Sequence, residues 1–256
     1  MSREKEDYIL EVKNLERSYS ITTPDRKKIV YPVLKGLSFS VKHGEFISIM
    51  GSSGCGKTTL LNTLGMLNHP NGGEVLYKGR NTAKIYGDKL AKIRRTELAF
   101  VFQDFYLMNS LTVEENIMMP LILSEADPKK SAKTARRLAK QFGIAGLLEK
   151  KPYELSGGER QRTAICRAMA GDPELILADE PTGNLDSNSS VQVVRALSHI
   201  NKKLGKTVIM VTHDPKMASY SDKIILLKDG EILNTLVKEG DIKSFYGKIL
   251  RQMVHL

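Results

Sequence analysis

An α/β fold, with a parallel sheet covered by helices on both faces, is what this chain of 256 residues predicts. Three observations point to it. A strand, a glycine-rich loop and a helix follow one another from Phe46 to Leu64. Continuous apolar runs recur at Leu98–Phe102, Leu175–Ala178 and Thr207–Val211, and the segments between them carry helical periodicity. Fully apolar strands alternating with helices are the pattern of a sheet buried on both sides.

Taken in order, Tyr8–Val12 and Leu34–Val41 alternate and read as half-buried strands. Thr22–Lys28, with Pro24 and several charges, reads as a surface loop. His43-Gly44 marks a turn into the buried strand Phe46–Met50. Val113–Leu155 is helical in character. There Asp127-Pro128 starts a helix whose face is Ala132, Ala135, Leu138, Ala139 and Phe142, and Gly143 stops it. A helix from about Ser189 to Leu204 ends at Gly205. At the end, Asp241 is an N-cap for a helix carrying Phe245, Ile249, Met253 and Leu256 on one side. That side is expected to pack on its own domain, the alternative being a dimer or partner contact.

Hydrophobic residues make up 41% and charged residues 27%, an ordinary globular composition that excludes a disordered or fibrous chain. No apolar run approaches the ~18 residues of a membrane helix, and Met1–Asp7 lacks the apolar core of a signal peptide. Cytosolic residence follows as the expectation. Cys55 and Cys166, far apart in such a compartment, argue against a structural disulfide. The net charge of +10 suggests nucleic acid or an anionic membrane leaflet as partner, or simply a solvated basic surface.

Gly51-Ser52-Ser53-Gly54-Cys55-Gly56-Lys57-Thr58-Thr59 fits G-x-x-x-x-G-K-[ST], with the strand before it and the helix after it that the motif requires. The glycines let successive N–H groups turn toward phosphate oxygens, and the helix offers its positive end to the same anion. Lys57 would neutralise the β- and γ-phosphates, and Thr58 would give a hydroxyl to Mg²⁺. Cys55, at a helix start, is expected to have a lowered pKa. A thiol alkylator should then inhibit, and ATP should protect.

Leu175–Glu180 is an apolar strand ending in two acids. Asp179 is placed to hold Mg²⁺ through water at the carboxyl edge of a parallel sheet, and Glu180 is the better general base for the water attacking the γ-phosphate. Leu155-Ser156-Gly157-Gly158-Glu159 opens another helix with a second anion-binding start. One nucleotide site does not need two cradles, so the second is expected to serve the nucleotide of another copy of the chain.

The run LSGGERQR resembles the signature motif of the ATP-binding-cassette (ABC) ATPases, and LILADEPTGNLD resembles their Walker B strand and D-loop. Gln103 in FVFQDF matches the Q-loop, and His213 in VIMVTHD matches the switch histidine. This resemblance covers essentially the whole chain. It implies a single cassette over residues 1–256: a P-loop NTPase core, an N-terminal antiparallel β subdomain and an α-helical subdomain inserted at about 104–165. It further implies a head-to-tail homodimer with two ATP between Walker A of one copy and the signature of the other. Gln103 would reach Mg²⁺ or the attacking water, Asp186 would bridge to the other copy, and His213 would contact the γ-phosphate. Tyr19 resembles the aromatic that stacks on adenine, with Tyr8 and Tyr31 as competitors. Glu159 stands where Gln is commoner in the family, and Cys55 where Ser is.

Finer features resemble the branch of lipoprotein-release, macrolide-export and bacitracin-resistance ATPases. These are the loop insert Thr22–Pro32, FVFQDFYLMNSLTVEENIMMPL, and ADEPTGNLDS. The segment MASYSDKIILLKDGEILNTLVKEGD with SFYGKIL is most similar to the bacitracin-resistance type. That similarity implies an integral membrane permease as partner, a place on the cytoplasmic face of the membrane, and resistance to antimicrobial peptides. Phe105–Leu123, expected to be helical, would receive the permease's coupling helix. A lipoprotein-release, macrolide-type or cell-division signalling cassette is the alternative. A nucleic-acid-directed cassette would carry a long coiled-coil insert or a second cassette, and this sequence has neither, so no nucleic-acid partner is expected. A small-molecule kinase would leave LSGGE and His213 without a purpose.

Overall fold

The computed structural model describes residues 8–254, in two compact units. Residues Met1–Asp7 and Leu256, to which the sequence reading also assigned roles, lie outside the described residues.

The first unit holds residues up to Tyr86 together with those from His213 onward. It opens with a long antiparallel hairpin, β1 (Tyr8–Thr22) and β2 (Lys28–Lys42). Here the expected loop at Thr22–Pro32 is corrected. Only a turn separates the strands, closed by the Thr23 N–H donating to the Lys27 carbonyl at 2.9 Å. Lys28–Pro32 belong to β2, with Val30 opposite Ser20 and Ile29 opposite Ile21. Pro24 and the charges mark the turn, whereas the β-branched and aromatic run Ile29-Val30-Tyr31 pairs as a strand. Pro32 is tolerated because β2 is an edge strand.

After β3 (Phe46–Met50), buried at every position, comes α1 (Lys57–Leu64). β4 (Gly72–Tyr77) and β5 (Arg80–Asn81) complete a four-stranded antiparallel sheet in the order β2-β1-β4-β5, as expected of the N-terminal part.

The second unit, Gly87–Thr212, contains α2 (Gly87–Thr96), β6 (Leu98–Val101), α3 (Val113–Ile122), α4 (Pro128–Gln141), α5 (Gly157–Met169), β7 (Leu175–Asp179), α6 (Ser187–Leu204) and β8 (Thr207–Val211). β6, β7 and β8 run parallel, with Leu98 beside Leu175 and Leu175 beside Thr207. Asp127 caps α4 through the Lys130 N–H at 2.9 Å, and Phe142 and Gly143 end it, Gly143 at φ +70°. α6 begins two residues before the expected Ser189. Asp186 is its N-cap, accepting from the N–H groups of Asn188 and Ser189 at 2.9 and 3.0 Å. Phe105–Leu111 is not helical, and the capping box of Thr112 and Glu115 fixes the start of α3 at Val113.

The first unit closes with α7 (Pro215–Ala218), β9 (Lys223–Lys228), β10 (Glu231–Val237) and α8 (Ile242–Met253). β9 lies parallel to β3 and antiparallel to β10. Asp241 caps α8 as expected. Phe245 and Ile249 are buried with Met50, Ile224, Leu226 and Leu236, so this helix packs on its own unit. Among the described residues no helix is long and apolar enough to cross a membrane.

Candidate functional site

The glycine loop follows the last residue of β3. Gly51 must be glycine because a Cβ there would sit 2.2 Å from the Leu227 carbonyl oxygen of the neighbouring β9. Gly56 takes φ +103° and turns the chain into α1, whose first N–H groups receive no side-chain cap. A helix start left open in this way favours an anion. Ser52, Ser53, Gly54 and Thr58 are exposed and Thr59 is half-buried. Lys57 is buried, and its ammonium donates to the carbonyls of Gly51 at 3.0 Å and Ser52 at 2.9 Å. The ammonium thus folds back onto the loop's own oxygens and keeps the loop in shape.

Cys55 corrects the sequence reading. Its side chain is buried, at 5% exposure, and burial pushes the thiol up, with Lys57 pulling the other way. Desolvation outweighs the helix end. Alkylation of the native protein should therefore leave Cys55 unmodified and turnover unchanged, with labelling of both cysteines only in denaturant. Intact-mass measurement before and after unfolding checks this.

Tyr19 is exposed on the hairpin and lies directly opposite Tyr31. The Arg17 guanidinium sits 4.8 Å from the Tyr19 ring centroid, and the Asn68 amide reaches the phenol oxygen at 3.3 Å. Tyr8 stands at the opposite end of the strand, beside Lys42. Arg17 and Asn68 were missed from the sequence because nothing in their local pattern distinguishes them from ordinary surface residues. His213 is exposed, two residues beyond the end of β8.

In the second unit, Asp179 is the last residue of β7 and Glu180 follows it with φ +43°. Gln103, exposed just after β6, donates to the Asn184 Oδ1 at 3.1 Å, and the Asn184 amide donates to the Asp104 carboxylate at 3.1 Å. Gly183 leaves room for this, since a Cβ would meet the Gln103 amide nitrogen at 2.9 Å. Asn184 and Asp104 were also missed, their only signal being their place beside Gly183 and Gln103.

Leu155 is buried and Ser156 exposed at the start of α5. Ser156 and Glu159 form a reciprocal capping box. The Glu159 carboxylate accepts from the Ser156 N–H and hydroxyl, both at 2.8 Å, and those bonds hold its pKa below the usual carboxylate range. Gly157 and Gly158 pass close to Leu185 and Ser189, where a Cβ would come within 2.9 and 2.7 Å. Unlike α1, this helix start carries its own anion. Asp186 is exposed, and hydrogen bonds from Ser189 and Asn188 keep its carboxyl below the usual range.

Comparison with known proteins adds to this geometry. A family model described as "ABC transporter" matches residues 34–183. The ABC transporter ATP-binding protein YxdL of Bacillus subtilis is 44% identical over 94% of this chain and 92% of its own length. The bacitracin export ATP-binding protein BceA of Halalkalibacterium halodurans is 39% identical over 94% of this chain and 93% of its own length. Among solved structures, a dimeric post-hydrolysis state of the ATP-binding cassette MJ0796, bound to ADP and Pi, aligns with a TM-score of 0.82 at 39% identity. It covers 90% of this chain and 99% of that one. A nucleotide-type glycine loop, a strand ending in Asp179-Glu180 and a glycine-rich helix start capped at Ser156 thus stand in a chain that belongs to the ABC transporter family of ATP-hydrolysing subunits.

Proposed function

We propose that two copies of this chain close head to tail around two ATP and drive a membrane permease that removes or senses bacitracin-like peptide antibiotics. The dimer is supported by the dimeric state of the similar solved cassette, together with two glycine-rich helix starts in one chain, α1 left open and α5 capped by its own Ser156 and Glu159. In this reading Lys57 and the N–H groups of Gly51–Thr59 hold the triphosphate, Tyr19 stacks on the adenine, and Leu155–Glu159 face the γ-phosphate of the other copy. Glu180 takes the proton of the attacking water, Gln103 and His213 orient it and the γ-phosphate, and Asp186 meets the other copy. Thr58, Gln103 and Asp179 offer only oxygen donors, the set Mg²⁺ prefers when it is held largely by phosphate and water. Bound there, Mg²⁺ would neutralise charge on the transferring phosphoryl group.

The chain would sit on the cytoplasmic face of the membrane as one cassette. The exposed Tyr106 and Met108 beside α3 are candidates for permease contact. The peptide-antibiotic reading is supported by the similarity to the bacitracin export protein. Deleting the gene in its host tests it. Tolerance of bacitracin should fall several-fold while tolerance of macrolides stays unchanged. A fall for macrolides alone would replace the peptide antibiotic with a macrolide and leave the ATPase reading intact.

A further inference from the structure

The net charge of +10 is not evenly spread. From Pro128 to Leu148 the chain contains no acidic residue, and α4 carries Lys129, Lys130, Lys133, Arg136, Arg137 and Lys140, all exposed. At 100° per residue these fall within an arc of about 120°. The opposite face, Ser131, Ala135, Leu138 and Ala139, is buried against the rest of its unit. Only Arg136 has a carboxylate partner among the described residues, Glu114 at 2.8 Å.

An ordinary solvated helix face intersperses acids and bases, because like charges three or four apart weaken a helix. Here Lys129 and Lys133, Lys133 and Arg137, and Arg136 and Lys140 are all like pairs four apart. Lys129 and Lys130 also stand in the first turn, where the helix dipole disfavours cations. The stripe therefore works against the helix that bears it. An extended anionic surface would turn this repulsion into attraction.

We infer that α4 is a purely electrostatic contact with the anionic headgroups of the membrane on which this transporter subunit works. Because the apolar face of α4 is already used inside the protein, the helix cannot insert among acyl chains. Binding must then be carried by charge alone and be released by salt. A second copy of the chain is a poor occupant, since it too carries a net charge of +10. Single-stranded nucleic acid is disfavoured because the face offers no aromatic side chain for a base, and duplex DNA, which needs only phosphate contacts, is the competing outcome of the test.

The test is sedimentation of the full-length protein with vesicles of phosphatidylcholine, with and without about 30% phosphatidylglycerol. Binding is expected only to the anionic vesicles and should be lost between about 50 and 300 mM salt. The variant Lys129→Gln/Lys133→Gln/Arg137→Gln/Lys140→Gln should bind up to about 10³-fold more weakly, with unchanged ATP turnover and equal or higher thermal stability. A control that neutralises Lys89, Lys92, Lys202 and Lys203 removes the same charge elsewhere and should retain most of the binding. Equal binding to neutral vesicles, equal loss in the control, or tighter binding to duplex DNA than to the anionic vesicles would each overturn the inference.

Discussion

Glu180→Gln is expected to lower ATP turnover at least about a hundredfold while ATP binding and the fold persist. Gln keeps the size and shape of the side chain but cannot accept the proton of an attacking water. The backbone at this position is held independently of the side chain. The Glu180 N–H donates to the Val211 carbonyl at 3.0 Å, and the Glu180 carbonyl accepts from the Gly183 N–H at 3.0 Å. Those two bonds fix a φ of +43°, a region non-glycine residues seldom occupy. The substitution leaves that restraint in place, so the loss should appear in the rate and not in thermal unfolding. With hydrolysis blocked, the ATP-bound dimer should accumulate and be visible by sedimentation velocity. Turnover at the parent rate would remove Glu180 from the role of base and shift attention to the neighbouring Asp179.

The parts legible in the sequence were those whose signals lie side by side. Phe46–Met50, the glycine loop and α1 announce themselves within twenty or so residues, and Asp127, Gly143, Gly205 and Asp241 mark helix ends by local chemistry. The rest depends on partners remote along the chain. Lys223–Lys228 is a short apolar run that becomes β9 because it pairs with β3, Ile225 beside Ile49. β10 follows only because β9 is there to pair with. At the hairpin tip the prolines and charges are local loop signals, whereas the cross-strand match of Ile29-Val30-Tyr31 with Tyr19-Ser20-Ile21 that makes it strand is visible only once the strands are paired. Cys55 failed for a similar reason. The helix end is visible in sequence, but the burial that outweighs it is tertiary. The candidate site residues stand in the sequence as a set of motifs. Their supports do not, since Asn184 reaches Gln103 and Asp104, and Asn68 reaches Tyr19, from segments remote along the chain.

Lys57→Ala and Ser156→Arg should each abolish turnover alone, yet regain part of it when the two variants are mixed. Lys57→Ala removes the ammonium bound to the Gly51 and Ser52 carbonyls, so both phosphate affinity and the shape of the loop are lost. Ser156→Arg removes the cap shared with Glu159 and fills an exposed helix start with a side chain too bulky for a phosphate to pass. In the proposed head-to-tail pair, each nucleotide needs Lys57 from one copy and Ser156 from the other. A mixed dimer then has one site with both lesions and one with neither. Random association makes half the dimers mixed, so recovery of up to about a quarter of the parent rate is expected if the sites turn over independently. A site completed within a single chain would show no recovery at any ratio, because every chain in the mixture carries a lesion. The same mixture made with the Lys57→Ala/Ser156→Arg double variant and the parent separates the cases further. There the mixed dimer damages both composite sites and should fall below the parent's share, whereas a site completed within one chain would leave that share untouched. The two mixtures move in opposite directions only when nucleotide is held across the seam between copies.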